Sequence, residues 1–292
     1  MALTINTNLS SMIVQKNLAK STTQLNQAIE RMTTGYKINH ASDNAAGYSI
    51  ARNWEAKLGS LDVAADNAAT GADMLSTLED NYALISSHIQ RVRDLTEQAS
   101  NGTYGTDSKK AIQSEIQARL DEIDRIAENC EFNGINMMKG EVGASGLDIQ
   151  VGVDGDEDRS RINLEQDLFS SAKINGGLFT AADATDLAKR CAGLDGNAEG
   201  HTSQEQLAKI DAVINKISSR ITTLGAAQNR IQSAVESIAV QSENITSSLS
   251  TLRDADVATE SSNYIKAQIL QQASATLLAT ANQTPSIALN LL

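Results

Sequence analysis

The sequence predicts a mainly α fold: a long antiparallel coiled-coil-like helical rod from both chain halves, with a small β-hairpin insert. Three observations carry that expectation. Apolar residues from Leu207 to Leu252 recur in alternating steps of three and four, interrupted only at Gln228 and Ser242, the pattern of a helix that pairs along a seam with other helices. Aromatic residues make up only 3% of the 292, and Pro occurs once, which suits long helices side by side better than a globule anchored on large rings. Between Phe132 and about His201 the helical period vanishes and glycine rises, so the two helical halves are separated by something else.

The elements follow in order. An opening helix carries Val14, Leu18, Leu25, Ile29, Met32 and Tyr36 at helical spacing. From Thr33 to Gly47 the chain loosens, and Gly35 with the polar run Asn39-His40-Ala41-Ser42-Asp43-Asn44 marks a break. A second long helix has Leu58, Leu61, Ala65, Ala68, Ala72, Leu75, Leu78, Tyr82, Ile85, Ile89 and Val92. Its successive three-residue steps at Ala72, Leu75 and Leu78 read as a stammer in the heptads. Asn101-Gly102-Thr103-Tyr104-Gly105 is a turn, and Ile112, Ile116, Leu120, Ile123 and Ala127 make a third helix.

Leu147, Ile149, Val151 and Val153 then alternate as a strand, with Ile162 and Leu164 as its partner across the acidic turn Asp154-Gly155-Asp156-Glu157-Asp158. The shaft that follows places Leu207, Ile210, Ile214, Ile217, Ile221, Leu224, Ile231, Val235 and Ile238 on one seam, and at 1.5 Å per residue it would run about 70 Å. A last helix carries Ile265, Ile269, Ala273 and Leu277 and leads to Ile287, Leu289, Leu291 and Leu292. The apolar stripes at the two ends either pack on each other within one molecule or are intersubunit surfaces ordered on assembly; periodicity leaves both readings open.

Little in the chain suggests chemistry. The net charge of −12 disfavours a nucleic acid or an anionic membrane as partner. There is no run of about eighteen apolar residues, so no membrane span is expected, and the start lacks the basic and apolar regions of a secretory signal, so export is expected to leave the N-terminus uncleaved. Cys130 and Cys191 have no metal-type spacing and read as free thiols, a disulfide between them being left open. There is no P-loop, no Gly-x-Gly-x-x-Gly after a strand and no His-Glu-x-x-His among His40, His88 and His201. No enzyme, cofactor or metal is therefore expected. Asp154, Asp156, Asp158 and Glu165 match an EF-hand at its first, third, fifth and twelfth positions, but Arg159 stands where that loop needs Gly and the flanks read as strands. A solvated hairpin turn is the better reading. Asn8, Asn101 and Asn244 begin N-glycosylation sequons, which chance explains, and Arg91 and Arg93 beside Asp94 and Glu97 read as an exposed mixed-charge face.

Both ends carry a resemblance. Met1-Ala2-Leu3-Thr4-Ile5-Asn6-Thr7-Asn8, Arg31-Met32-Thr33-Thr34-Gly35-Tyr36-Lys37-Ile38-Asn39 and Ser42-Asp43-Asn44-Ala45-Ala46-Gly47 resemble the N-terminal region of bacterial flagellins, as do Gln90-Arg91-Val92-Arg93-Asp94-Leu95 and Phe132-Asn133-Gly134. Leu252-Arg253-Asp254-Ala255-Asp256-Val257-Ala258, Gln268-Ile269-Leu270-Gln271-Gln272-Ala273 and Ala281-Asn282-Gln283-Thr284-Pro285 are similar to the flagellin C-terminus. The resemblance covers about two-thirds of the chain.

It implies a structural subunit that polymerises into the bacterial flagellar filament for motility and is exported unfolded through the flagellar channel, a secreted component of an extracellular filament. The family's inner, filament-core domain would be residues 1–45 with 253–292, disordered before assembly. Residues 46–252 would be the helical rod, with the hairpin insert around 140–170 and no large outer domains. Assembly would bury Leu3, Ile5, Leu9, Leu18, Leu25, Ile269, Leu277, Leu278, Ile287, Leu289, Leu291 and Leu292, in contacts that do not close on themselves.

Implied partners are the chain itself, the flagellar export apparatus and its chaperone, and the filament cap and junction proteins. A host innate immune receptor is a further one, facing Arg91, Leu95 and Glu115. The two cysteines depart from the family habit. A hook–filament junction protein of the same fold is the runner-up, and a chemoreceptor-like signalling coiled coil is the alternative from another class.

Overall fold

Where the 3.6-residue period runs unbroken the chain is helical, in a computed structural model that describes residues 7–142, 146–156, 160–184, 186–194 and 202–289. The long helices are α1 (Leu9–Thr34), α2 (Ala45–Ser100), α3 (Thr106–Asn129), α6 (Thr202–Arg253) and α7 (Val257–Leu289). Between α3 and α6 lie the hairpin β1 (Glu131–Phe132) and β2 (Ile135–Asn136), the hairpin β3 (Leu147–Gln150) and β4 (Arg161–Leu164), a 3₁₀ turn at Gln166–Phe169, and the short helices α4 (Ala181–Ala184) and α5 (Leu187–Cys191). These elements divide into two units, Met1–Gly59 with Ser242–Leu292, and Ser60–Gln241.

The central unit is a bundle in which α2 pairs antiparallel with both α3 and α6. Arg91 meets Glu115 at 3.0 Å. Arg93 meets Asp211 at 2.6 Å, and Gln228 donates to Glu79 at 2.8 Å. Leu75, Leu78, Tyr82, Ile85, Ile89 and Val92 of α2 are buried against Ile116, Leu120 and Ile123 of α3 and Ile210, Ile217, Leu224 and Ile231 of α6. Each such side chain contributes about 1.5–3 kcal/mol relative to exposure, so this core is ample.

Two expected registers shift. On α6 the column Ile210, Ile217, Leu224, Ile231 and Ile238 is buried as expected, but its companion is Gln206, Val213, Arg220 and Ala227. Ile214 and Ile221, expected in that place, are only half-buried. The seam is wider than two positions because α6 packs against an insert as well as against α2. On α2 the paired three-residue steps fall at Leu58, Leu61 and Ala64 rather than at Ala72, Leu75 and Leu78.

The insert is more structured than its composition predicts. Asn133 (φ 49°) and Gly134 (φ 81°) give the two consecutive left-handed residues of a tight primed hairpin turn between β1 and β2. The second hairpin pairs Leu147 with Leu164 and Ile149 with Ile162. Strand β3 stops at Gln150, short of the expected Val153, because the amides of Val151 and Gly152 both donate to the Ser160 carbonyl, at 2.8 and 2.9 Å. Residues 157–159, which include Asp158 and Arg159 of the acidic turn, lie outside the described residues. The hairpin lies on α2, where Gly71 leaves room for Ile149: a Cβ there would stand 2.5 Å from Ile149 Cδ1.

In the terminal unit α1 and α7 run antiparallel. Asn8 Nδ2 donates to the Ala281 carbonyl at 2.7 Å, Gln271 Nε2 donates to Thr22 at 3.1 Å, and Arg31 meets Glu260 at 3.3 Å. α1 stops at Thr34, two residues before Tyr36 could join the helical stripe, because Gly35 takes a left-handed φ of 75° and caps it.

Candidate assembly surface

The facing rows of α1 and α7 each follow the three–four alternation, but their fully buried residues are small or polar. On α1 the row is Val14, Leu18, Ser21, Leu25 and Ala28; on α7 it is Glu260, Tyr264, Ala267, Gln271, Ser274 and Leu278. Only Ser21, Ala28, Glu260, Ala267 and Ser274 of these are fully buried. Side chains of this size remove little apolar area from water, and two paired helices without a larger core are marginal by themselves.

The larger apolar residues lie elsewhere. Leu9, Met12, Ile13, Ile29 and Met32 of α1 and Val257, Ile265, Ile269, Leu270 and Leu277 of α7 are exposed, Leu9 by 64% and Ile269 by 59%. The stripe Ile265, Ile269, Ala273 and Leu277 of the last helix, for which spacing left internal packing and an intersubunit surface both open, faces outward. Ala267 and Ser274, flanked by the half-buried Tyr264, Gln271 and Leu278, make the internal contact instead. α7 consequently carries apolar side chains on more than one face, a property of helices that are covered all round.

The residues expected to drive assembly divide accordingly. Leu18, Leu25 and Leu278 are half-buried in the seam, whereas Leu9, Ile269 and Leu277 point away from it. Leu3, Ile5, Leu291 and Leu292 lie outside the described residues, as do the side chains of Ile287 and Leu289.

A compact joint fixes the base of this pair. The Lys37 amide donates to the Arg253 carbonyl at 2.7 Å and the Ala255 amide to the Gly35 carbonyl at 2.8 Å. The Arg253 guanidinium lies 4.0 Å over the Tyr36 ring and pairs with Glu55 of α2. Asp43 accepts the amides of Asn39 and His40, each at 3.1 Å, and the His40 amide bond holds its carboxyl below the usual range. Asn44 Oδ1 accepts the Gly47 amide at 3.0 Å and so caps α2. A Cβ at Gly47 would stand 2.9 Å from Ile38 Cδ1. The run from Ser42 to Gly47 is therefore a folding motif: a turn clamp, a helix cap and a close-packing glycine.

In the central unit, Arg91 and Glu115 form their pair at the surface, with Arg119 of α3 at 4.0 Å from the same carboxylate. Leu95, grouped with them from the sequence, is 1% exposed and offers no surface to a partner in this conformation. One buried charge had no signal in the sequence. Arg220, 2% exposed, reaches the Tyr82 hydroxyl and the carbonyls of Ser170 and Ser171, all at 3.4 Å, and also contacts Ser170 Oγ. It clamps α2, α6 and the insert together. Arg220 sits one position off the expected seam, beside Ile221, where spacing alone gives no reason for burial.

Cys130 and Cys191 are free and buried, and burial pushes both thiols up to about 11. Among the described residues no group of His, Cys, Asp and Glu could hold a metal ion, and no helix is long and apolar enough to cross a membrane.

Comparison with known proteins places this architecture. The family model for the bacterial flagellin N-terminal helical region matches residues 5–142, and that for the C-terminal helical region matches residues 207–292. A flagellin of Listeria monocytogenes is 32% identical over 283 residues, 97% of each chain. Flagellin FlaB1 of Treponema pallidum is 28% identical over 297 residues, 99% of each. A solved structure of a putative flagellar hook-associated protein from Vibrio parahaemolyticus shares the fold at a TM-score of 0.59, covering 73% of this chain and all of that one at 14% identity. With both terminal regions matched and a relative at 32% identity along nearly its whole length, the chain belongs to the bacterial flagellins, structural subunits of the flagellar filament.

Proposed function

We propose that this flagellin polymerises through the outward apolar faces of α1 and α7, with the terminal helices as the filament-core domain and the central bundle as the rod domain. The observation that carries the reading is the inversion on α7: Ile265, Ile269 and Leu277 are exposed while Ala267 and Ser274 make the internal seam. Such a face is covered when copies meet, and the burial then offsets the entropy of ordering weakly held helices. A pair this weakly packed also suits a chain that travels unfolded through the flagellar channel, handed over by a chaperone. The polymer would extend beyond the cell between junction and cap proteins. The paired Arg91 and Glu115 are the surface on which a host innate immune receptor would act, with Leu95 holding the helix beneath them.

Polymerisation of the purified full chain, seeded and followed by sedimentation and electron microscopy, tests this. Wild type should form long helical filaments, and a version without residues 1–40 and 255–292 should form none. Ile269→Asp should leave the circular dichroism of the subunit unchanged and abolish polymerisation. Filaments from Ile269→Asp at the wild-type concentration would sink the assignment of that face. Short caps in place of filaments from the wild type would favour a junction protein of the same fold.

A further inference from the structure

Two exposed residues on α1 are methionines. Met12 is 59% and Met32 39% exposed, whereas Met74, Met137 and Met138 are buried in the core of the central unit. A thioether is oxidised according to its accessibility, and the sulfoxide replaces a flexible apolar side chain with a polar, chiral one. In the free subunit the two thioethers open to solvent among the described residues thus sit on a helix whose apolar surface has still to be covered. We propose that Met12 and Met32 are oxidative modification sites through which a two-electron oxidant, hydrogen peroxide or a hypohalous acid, withdraws unassembled subunits from polymerisation.

The step is balanced. A sulfur lone pair attacks one peroxide oxygen and the O–O bond breaks. The departing hydroxide regains a proton as water, so each peroxide yields one sulfoxide and one water, with sulfur oxidised and peroxide reduced. The new S=O dipole must be stripped of water when its surface meets another copy, a cost that an apolar thioether does not carry. Entry into the polymer is therefore penalised while the fold of the subunit is not, since neither side chain is part of the buried seam. A subunit already in the polymer has these sulfurs covered and is spared. The proposal rests on the assembly reading above and adds its regulation.

The test compares wild type with Met12→Leu/Met32→Leu, leucine being close to methionine in volume and inert to peroxide. Each is treated with hydrogen peroxide as free subunit, mapped by peptide mass spectrometry, seeded, and assayed for the critical concentration of polymerisation. Treated wild type should carry sulfoxide at Met12 and Met32, with little at Met74, Met137 and Met138, and its critical concentration should rise about tenfold or more. Methionine sulfoxide reductases should restore it, and the double variant should polymerise equally before and after treatment. Unchanged polymerisation of wild type carrying both sulfoxides would overturn the proposal and leave the assembly reading intact. So would an equal loss in the treated double variant. Failure of untreated wild type to polymerise would instead remove the assembly reading, and this proposal with it.

Discussion

A handful of side chains hold this molecule in ways that chemistry makes testable. Arg220 is buried with hydrogen-bond partners on two segments. Arg220→Met strands the Ser170 and Ser171 carbonyls and should lower the stability of the central unit by about 2–4 kcal/mol, read as an earlier urea midpoint at unchanged slope. The two thiols make a different prediction. With Cys130 and Cys191 pushed up to about 11 by burial, almost no thiolate exists at pH 8. A chromogenic disulfide reagent should titrate neither in the native subunit and both in guanidinium; prompt native reaction would mean that the core opens readily. Asp43 has a sign that can be worked out. Its folded carboxyl titrates below the ordinary aspartate range, chiefly because it accepts the His40 amide, so its contribution is fully present above the unfolded value and is lost as pH falls through the lower folded one. The wild-type thermal midpoint should therefore drop more between pH 6 and pH 2.5 than that of Asp43→Asn.

At the level of elements, packing decides which face of a helix is internal. The β3–β4 hairpin can lie on α2 because Gly71 offers no side chain where Ile149 arrives. Gly71→Val should push the hairpin away at a cost of about 1–3 kcal/mol, visible as faster amide exchange at Ile149 and Ile162 while α3 stays protected. The α1–α7 pair behaves oppositely. Its seam is built from Ser21, Ala28, Ala267 and Ser274, so its amides should exchange far faster in the free subunit than those of α2 between Leu75 and Val92. Comparable protection in both would contradict the weak seam.

Over the whole molecule, charge is unevenly divided. Residues 1–59 and 242–292 hold eight Lys and Arg against seven Asp and Glu, a net of +1, and residues 60–241 hold sixteen against twenty-nine, a net of −13. The part with exposed apolar helices is thus almost neutral, while any homopolymer must bring strongly anionic central units near one another. Raising the ionic strength from 0.01 to 0.15 M shortens the screening length from about 30 to about 8 Å. The critical concentration should fall across that range, and a critical concentration independent of salt would show that these units stay beyond electrostatic reach. The family is structural rather than enzymatic, and these are the forces its assembly must balance.

The long helices, their breaks at Gly35 and after Arg253, and the β3–β4 hairpin were legible in the sequence, because periodicity and turn chemistry are local properties of the chain. The family too was legible, through the resemblance of both ends; one of the segments that carry it, Ser42 to Gly47, is the turn clamp, cap and close-packing glycine. The hidden part was everything set by what lies across from a residue. Spacing could not tell that Arg220 and not Ile221 is buried, since two adjacent columns of a helix differ only in their neighbours. Nor could it tell that Ile269 and Leu277 look outward while Ala267 and Ser274 look in, because both rows share one period. Sequence determined which segments are helical and apolar; only tertiary packing, which is non-local, decided which apolar residues remain uncovered.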